Sequence, residues 1–228
     1  MVYEAMLPPG TAAVAQVLSE WRALDQFYLA GGTALALHLG HRQSRDLDFF
    51  TRAPQEQLPV LSDLDRILAR FQTVEWELKT TDQIQCRLDG LSVTFLAYPF
   101  PHRFLLQSWR GLAVADARDI AVQKAYTVGR RAQARDYLDL HAILMRGVAS
   151  LDDLLTWAHE TYGGTFSPRL FLQQLAYTAD LPDRDAALSL LVNPTTFDAV
   201  AADLNQMVRD WFMRRFRQDP PQIRGPRL

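Results

Sequence analysis

Residues 29–50 read LAGGTALALHLGHRQSRDLDFF. The run QFYLA at 26–30 has the composition of a short buried strand. It ends in Gly31-Gly32, where Thr33 is placed to cap a helix running to His38 or Leu39, and Gly40 ends it. Residues 46–51, DLDFFT, read as a second strand, because two acids alternate with Leu47 and Phe49. Strand side chains alternate between faces, so Asp46 and Asp48 point the same way. Adjacent carboxylates repel, and a shared divalent cation removes that conflict. Taken singly, Asp-x-Asp is an ordinary solvated strand edge and Gly-Gly an ordinary tight turn. Taken together they are more than that. Glycines let the backbone approach a phosphate, and the exposed N–H groups of a helix start attract anions. Gly31, Gly32 and Thr33 would form the cradle, and Asp46 and Asp48 the metal clamp, of a nucleoside triphosphate site. Arg42 and Ser44 precede the acids; Arg42 could clamp a phosphate or be a plain surface arginine.

Outward from this segment, residues 11–24 have helical spacing, and a helix is expected over about 56–70. Strands are predicted at 73–79, 83–88 and 91–98, the last two joined by the hairpin signal Asp89-Gly90. After about residue 108 the period becomes helical, over 116–128, 133–146, 151–162, 168–178, 183–191 and 196–216. The tail, 219–228, holds three prolines and a glycine and is expected to fray. The expected fold class is α+β: a mixed α/β unit over residues 1–108 followed by an all-α unit over 109–228 that completes a cleft.

The 228 residues are 48% hydrophobic and 22% charged, which excludes a disordered chain, a collagen and a coiled-coil rod. A net charge of -2 gives no bulk argument for nucleic acid. Cys86 is the single cysteine, which excludes an internal disulfide framework and a cysteine-rich zinc site. It alternates with Ile84 and Leu88 and reads as a core residue. No secretory leader or membrane-spanning run is legible, so a cytoplasmic protein without membrane contact is expected.

Gly-Gly-Thr, a helix, then His-Arg-x-Ser-x-Asp-x-Asp-Phe-Phe resembles the nucleotidyltransferase superfamily, with its DNA polymerase β-like fold. More narrowly it resembles the AbiEii/AbiGii toxin family of bacterial toxin–antitoxin and abortive-infection systems. Twelve residues separate Gly32-Thr33 from Asp46-x-Asp48, as in that family's pattern. A second run, DIAVQKAYTVGRRAQARDYLDL at 119–140, is similar to the family's lysine on one helix followed by Arg-Asp-x-x-Asp-Leu on the next. The match falls on Lys124 and on Arg135-Asp136-Tyr137-Leu138-Asp139-Leu140.

The resemblance implies a Mg2+- (or Mn2+-) dependent enzyme that moves a nucleoside monophosphate from a nucleoside triphosphate to an acceptor hydroxyl. The acceptor would be an RNA 3′ end, such as that of tRNA, or a protein. An antitoxin protein would be its partner. Asp46 and Asp48 would hold the metal, Lys124 would neutralise the leaving pyrophosphate, and Asp136 would orient Lys124 or act as base. Asp136 and Asp139, three apart on a helix, share a face.

One position departs from the pattern. The superfamily carries a third carboxylate on a later hairpin strand, and here Thr94 stands there within Leu91–Leu96. Thr94 should point toward the cleft, since Val93 and Phe95 suit the core. Asp89 is about 16 Å away along an extended strand and is a poor substitute; Asp136 could fold over instead. A catalytically silent nucleotide- or partner-binding module and a kinase-like phosphotransferase are the rival readings. His38 reads as a core histidine. The basic–aromatic segment 209–217 reads as an amphipathic helix or as an RNA-binding strip.

Overall fold

The computed structural model describes residues 2–59, 61–128, 130–131 and 133–218. Helix α1 (Thr11–Ser19) leads through a short 3-10 turn, Arg22–Gln26, into strand β1 (Phe27–Ala30). The helical spacing predicted to reach residue 24 breaks at Trp21, which is extended so that the chain can turn into β1. Trp21 and Leu24 are nevertheless buried, so their apolar positions serve the core as the spacing implied. Helix α2 (Gly31–Leu39) follows β1 directly. It is apolar on nearly all sides and correspondingly buried, with Ala34, Leu35 and Ala36 at zero exposure.

Strand β2 (Asp46–Thr51), helix α3 (Leu61–Leu68), and strands β3 (Val74–Lys79), β4 (Gln83–Leu88) and β5 (Leu91–Leu96) come next. Helix α3 is shorter than the predicted 56–70; Pro59 disfavours helix in the residue before it. Asp89 and Gly90 both take positive φ, 48° and 84°, as the two-residue turn between β4 and β5 requires. A hairpin that the sequence pattern had not revealed, β6 (Gln107–Trp109) and β7 (Leu112–Val114), carries the sheet past residue 108. Its strands are three residues long, too short to show a period. The helical part is α4 (Ala117–Thr127), α5 (Ala134–Met145), α6 (Leu151–Tyr162), α7 (Pro168–Ala176), α8 (Arg184–Leu188) and α9 (Phe197–Gln218), close to the predicted spans. The tail 219–228 lies outside the described residues.

The seven strands form one mixed sheet in the order β3-β4-β5-β2-β1-β7-β6. β2 runs antiparallel to β1 and parallel to β5, and β1 is parallel to β7. β1 is central and buried along its whole length. Strands β2 and β5 alternate strictly between a buried face and a half-buried one. The buried face holds Leu47, Phe49, Val93 and Phe95, and Phe49 stacks on Phe95 with ring centroids 5.4 Å apart. The other face is turned toward α4 and the start of α5, and it floors the cleft.

Candidate functional site

Registers fix the cleft floor as a grid. Asp46 lies beside Ser92 and Ser92 beside Arg87; Asp48 beside Thr94 and Thr94 beside Gln85; Phe50 beside Leu96 and Leu96 beside Gln83. Rows along a strand are two residues, or about 7 Å, apart. The Asp46/Asp48 pair therefore shares the face that the sequence assigned it, with Thr94 next to Asp48. Burial and then the neighbouring Asp46 charge push the Asp48 carboxyl up, partly offset by the Lys124 and Arg131 charges.

Gly31 and Gly32 sit against this floor. Gly31 has φ +64°, and a Cβ there would stand 2.4 Å from Asp48 Oδ2. A Cβ on Gly32 would stand 2.4 Å from Arg42 Nη2. Gly31 is thus demanded twice, by backbone conformation and by close approach to Asp48, and Gly32 by close approach to Arg42 alone.

Thr33 does not cap the helix. The helix begins two residues earlier, at Gly31, and its N-cap Ala30 has no side-chain bond. Thr33 is 1% exposed, and its hydroxyl lies within hydrogen-bond reach of Ser44 Oγ, at 2.9 Å, and of the Asp46 carbonyl. Thr33 and Ser44 therefore pin the start of α2 to the start of β2. They hold the turn in place from behind, Thr33 fully enclosed and Ser44 at the wall of a small polar recess beside Asp46.

Arg42 is also a correction. Its Nε and Nη2 donate to the two carboxylate oxygens of Asp139, at 2.6 and 2.8 Å, and Nη1 donates to the Gln43 carbonyl. At 2% exposure it is no surface arginine: it sits beneath Gly32, tied to Asp139, and lines the small polar recess beside Asp46 and Asp48. Tertiary pairing placed it there: residues 41–43 are bonded to 190–192, beyond α8, through Gln43 N to Leu190 O and Val192 N to His41 O.

The second motif arrives from the helical side. Lys124 Nζ is 2.7 Å from Asp136 Oδ1 and 2.6 Å from Asp139 Oδ2. Arg131, in the loop after α4, donates to both oxygens of Asp136 from Nε and Nη2, at 2.8 and 2.9 Å. Burial alone would raise Asp136, but the Lys124 charge and the Arg131 hydrogen bonds override it and hold the carboxyl below its usual range. Asp136 is thus ion-paired with both Lys124 and Arg131 and orients them, one of the two tasks the resemblance implied for it. Asp139 is held well below the ordinary range in the same way, burial being outweighed by the Arg42 and Lys124 charges. His41 donates from Nε2 to Asp139 Oδ1 at 2.8 Å; burial, the largest influence, lowers its pKa against the pull of Asp139.

Asp46, Asp48, Gly31, Gly32, Lys124 and Arg131 line one cavity of about 630 Å³. A smaller polar recess of about 140 Å³ continues from it under Arg135 and Asp136. The layout expected from sequence, with Lys124 and Asp136 approaching Asp46 and Asp48, is what the fold delivers. Sequence reasoning had not singled out Arg131 or Gln133 for the site; Arg135 was noted only as a motif residue. Arg135 Nη1 lies 3.6 Å from Asp46 Oδ2. All three lie next to the Arg-Asp-x-x-Asp run, which was the available signal.

Cys86 is buried and its thiol is pushed up to about 11 by burial, as befits a core residue. His38 bonds the Ala115 carbonyl inside the fold. In segment 209–217 Trp211 is buried and donates to Asp152, while Phe212 and Met213 are exposed. No described residue of α9 lines the cleft. Among the described residues, no three His, Cys, Asp or Glu side chains group as metal ligands. No described helix is long and apolar enough to cross a membrane.

Comparison with known proteins agrees with the geometry. The family model for the nucleotidyl transferase AbiEii toxin of type IV toxin–antitoxin systems matches residues 14–108. An uncharacterised protein of Aquifex aeolicus is 33% identical over 135 residues, covering 57% of this chain and 63% of that protein, so the match spans less than two thirds of the relative. A Helicobacter pylori protein described as a nucleotidyltransferase superposes with TM-score 0.57 at 17% identity, over 92% of this chain and 94% of that one. MenT4, a nucleotidyltransferase toxin of Mycobacterium tuberculosis, superposes with TM-score 0.56 at 18% identity, over 86% and 81%. At such identities the superpositions establish the fold. The chain therefore has a nucleotidyltransferase fold, and its residues 14–108 are similar to the AbiEii nucleotidyltransferase toxin family.

Proposed function

We propose that the protein transfers a nucleoside monophosphate from a nucleoside triphosphate to an acceptor hydroxyl, as the toxin of a toxin–antitoxin pair. The observation that carries this reading is the meeting, in one cavity, of the Asp46/Asp48 carboxylates with Lys124 and Arg131 across the Gly31-Gly32 turn. Two half-buried carboxylates that repel one another, with Asp48 raised by burial and then by its neighbour, suit a single Mg2+ or Mn2+ whose remaining ligands are substrate phosphates. Bound there, the ion would neutralise charge developing on the phosphates.

This chain's own residues then have distinct tasks. Backbone N–H groups at Gly31 and Gly32 would face the phosphates. Lys124 and Arg131, fixed by Asp136 and Asp139, would hold the β- and γ-phosphates and stabilise the leaving pyrophosphate. The acceptor oxygen attacks the α-phosphorus, the bond from that phosphorus to the bridging oxygen breaks, pyrophosphate departs, and the hydroxyl proton passes to solvent. A second cavity of about 680 Å³ opens beyond Asp46, lined in part by Arg45, Arg70 and Arg87. It offers an anionic acceptor such as an RNA end a route to the reacting phosphate. An antitoxin protein would be the partner that restrains the reaction in the cell.

Thr94 beside Asp48 favours a second reading, a module that binds nucleotide and does not turn it over. Incubation with each α- and γ-labelled nucleoside triphosphate, Mg2+ and total cellular RNA or protein separates the cases. The proposal expects α-label on the acceptor and release of pyrophosphate. Transfer of γ-label would mean kinase chemistry; binding without transfer to either acceptor class would mean the silent module.

A further inference from the structure

The floor of the cleft changes character row by row. The first two rows carry Asp46 and Asp48, whereas the third is Phe50, Leu96 and Gln83. The third row lies about 7 Å beyond Asp48 along the same strand face. Aromatic rings close this end. Phe50 stacks on Tyr98 with centroids 4.7 Å apart. Tyr126 lines the same cavity but has one ring face on Tyr162 and the other under the Arg130 guanidinium, so it offers an edge. Gln123, one residue before Lys124, is placed over the third row, because its Nε2 reaches 3.4 Å from the hydroxyl of Tyr28, the cross-strand partner of Phe50.

A phosphate placed at this end would meet apolar surface and uncharged amides, a costly environment for an ion. A flat heteroaromatic group suits it: a ring to stack on Phe50, and a polar edge for amides that carry both donor and acceptor. The spacing fits as well, since the sugar of a nucleotide separates base from α-phosphate by about one row of this grid. We propose that this end of the cleft is a nucleobase subsite, with Phe50 as the stacking platform and Gln83 and Gln123 as the groups that read the base edge. The proposal rests on the phosphate end lying at Asp46, Asp48 and Lys124.

Titration calorimetry on the full chain with Mg2+ tests it, using inorganic tripolyphosphate and the four nucleoside triphosphates as probes. The wild-type protein is expected to bind at least one nucleotide about tenfold more tightly than tripolyphosphate, the size of one base–aromatic stack. Phe50→Leu, which keeps apolar volume on the Tyr98 side, should erase that advantage while tripolyphosphate affinity stays unchanged. Gln123→Ala, at the half-buried cleft wall, should alter the ranking of the four bases. Equal affinity of the wild-type protein for tripolyphosphate and every nucleotide would overturn the subsite alone, as would unchanged nucleotide affinities in both variants. Failure of the wild-type protein to bind tripolyphosphate or any nucleotide would overturn the phosphate site, and this inference with it.

Discussion

The two walls of the cleft treat charge in opposite ways. On the helical wall, the cations Lys124, Arg131 and Arg42 and the anions Asp136 and Asp139 saturate one another at 2.6–2.9 Å, and all but Arg131 are buried. On the sheet wall, Asp46 and Asp48 stand side by side, and the ion pair that reaches them is the half-exposed contact of Arg135 with Asp46 at 3.6 Å. A network buried this deeply is rigid, because moving any member leaves a charge unpaired in a poorly solvated place. The helical wall can thus present Lys124 at a fixed position without reorganisation when charge develops. The sheet wall leaves two neighbouring carboxylates without a buried counter-charge. On the proposed function, one side of the site is preorganised by the fold and the other would be completed by the cation and substrate.

Breaking the sheet wall should have the largest effect. Asp48→Asn is expected to lower nucleotide transfer by about 10³-fold, about 4 kcal/mol of barrier, while the urea midpoint holds or rises because a like-charge repulsion is removed. Quench-flow rates and urea melts check both halves; an active Asp48→Asn protein would remove the metal assignment. Breaking the helical wall should give the reverse pattern. Asp139→Ala strands the buried Arg42 and leaves Lys124 with Asp136 alone, and should lower folding stability by about 3–5 kcal/mol, read by urea denaturation. If the variant is as stable as its parent, the network is not the rigid element described.

Gly31→Ala joins the two walls. It forces a side chain into positive φ and against Asp48 Oδ2, and should cost about 1–2 kcal/mol along with weaker Mg2+-nucleotide binding by calorimetry. Thr94→Asp sharpens the contrast further. Without Mg2+ a third carboxylate should lower the melting temperature by a few degrees, about 1 kcal/mol for a chain of this size. Added Mg2+ should restore more than it gives the wild-type protein. No change in Mg2+ response would mean that Thr94 is not positioned to share a metal.

The smallest expected effect is on pH. The folded pKa of His41 is lowered, so the unfolded chain binds more protons as pH falls through about 6.5, and stability declines from there downward. Asp136 and Asp139 have depressed pKa values, so their contribution is lost only at still lower pH, below the usual carboxylate range. Urea midpoints for the wild-type protein and His41→Gln between pH 8 and 5 should differ in slope near pH 6.5; identical slopes would show that His41 is not the group titrating there.

Local patterning made the sheet wall legible. Alternation of Asp46, Leu47, Asp48 and Phe49 decided which face each took, and the same alternation around Thr94 put it beside the acids. Asp89-Gly90 fixed the β4–β5 turn for the same local reason. The strands β6 and β7 escaped notice because three residues carry no period. Arg42, Thr33 and Ser44 were read as surface or phosphate-facing groups because sequence shows a residue's neighbours along the chain and not what lies beneath it.

By itself, then, the sequence determined the β–turn–α–β unit, the shared face of its two carboxylates, the helical character of the chain beyond the β6–β7 hairpin and the two motifs that carry the family resemblance, since each is written in spacing of a few residues. The tertiary structure decided which charges are tools and which are fasteners. Arg42 and Asp139 are 97 residues apart, yet they close on one another beneath Gly32. Whether an arginine reaches out to a phosphate or inward to a carboxylate depends on such long-range closure, because burial makes the unpaired alternative too costly to survive.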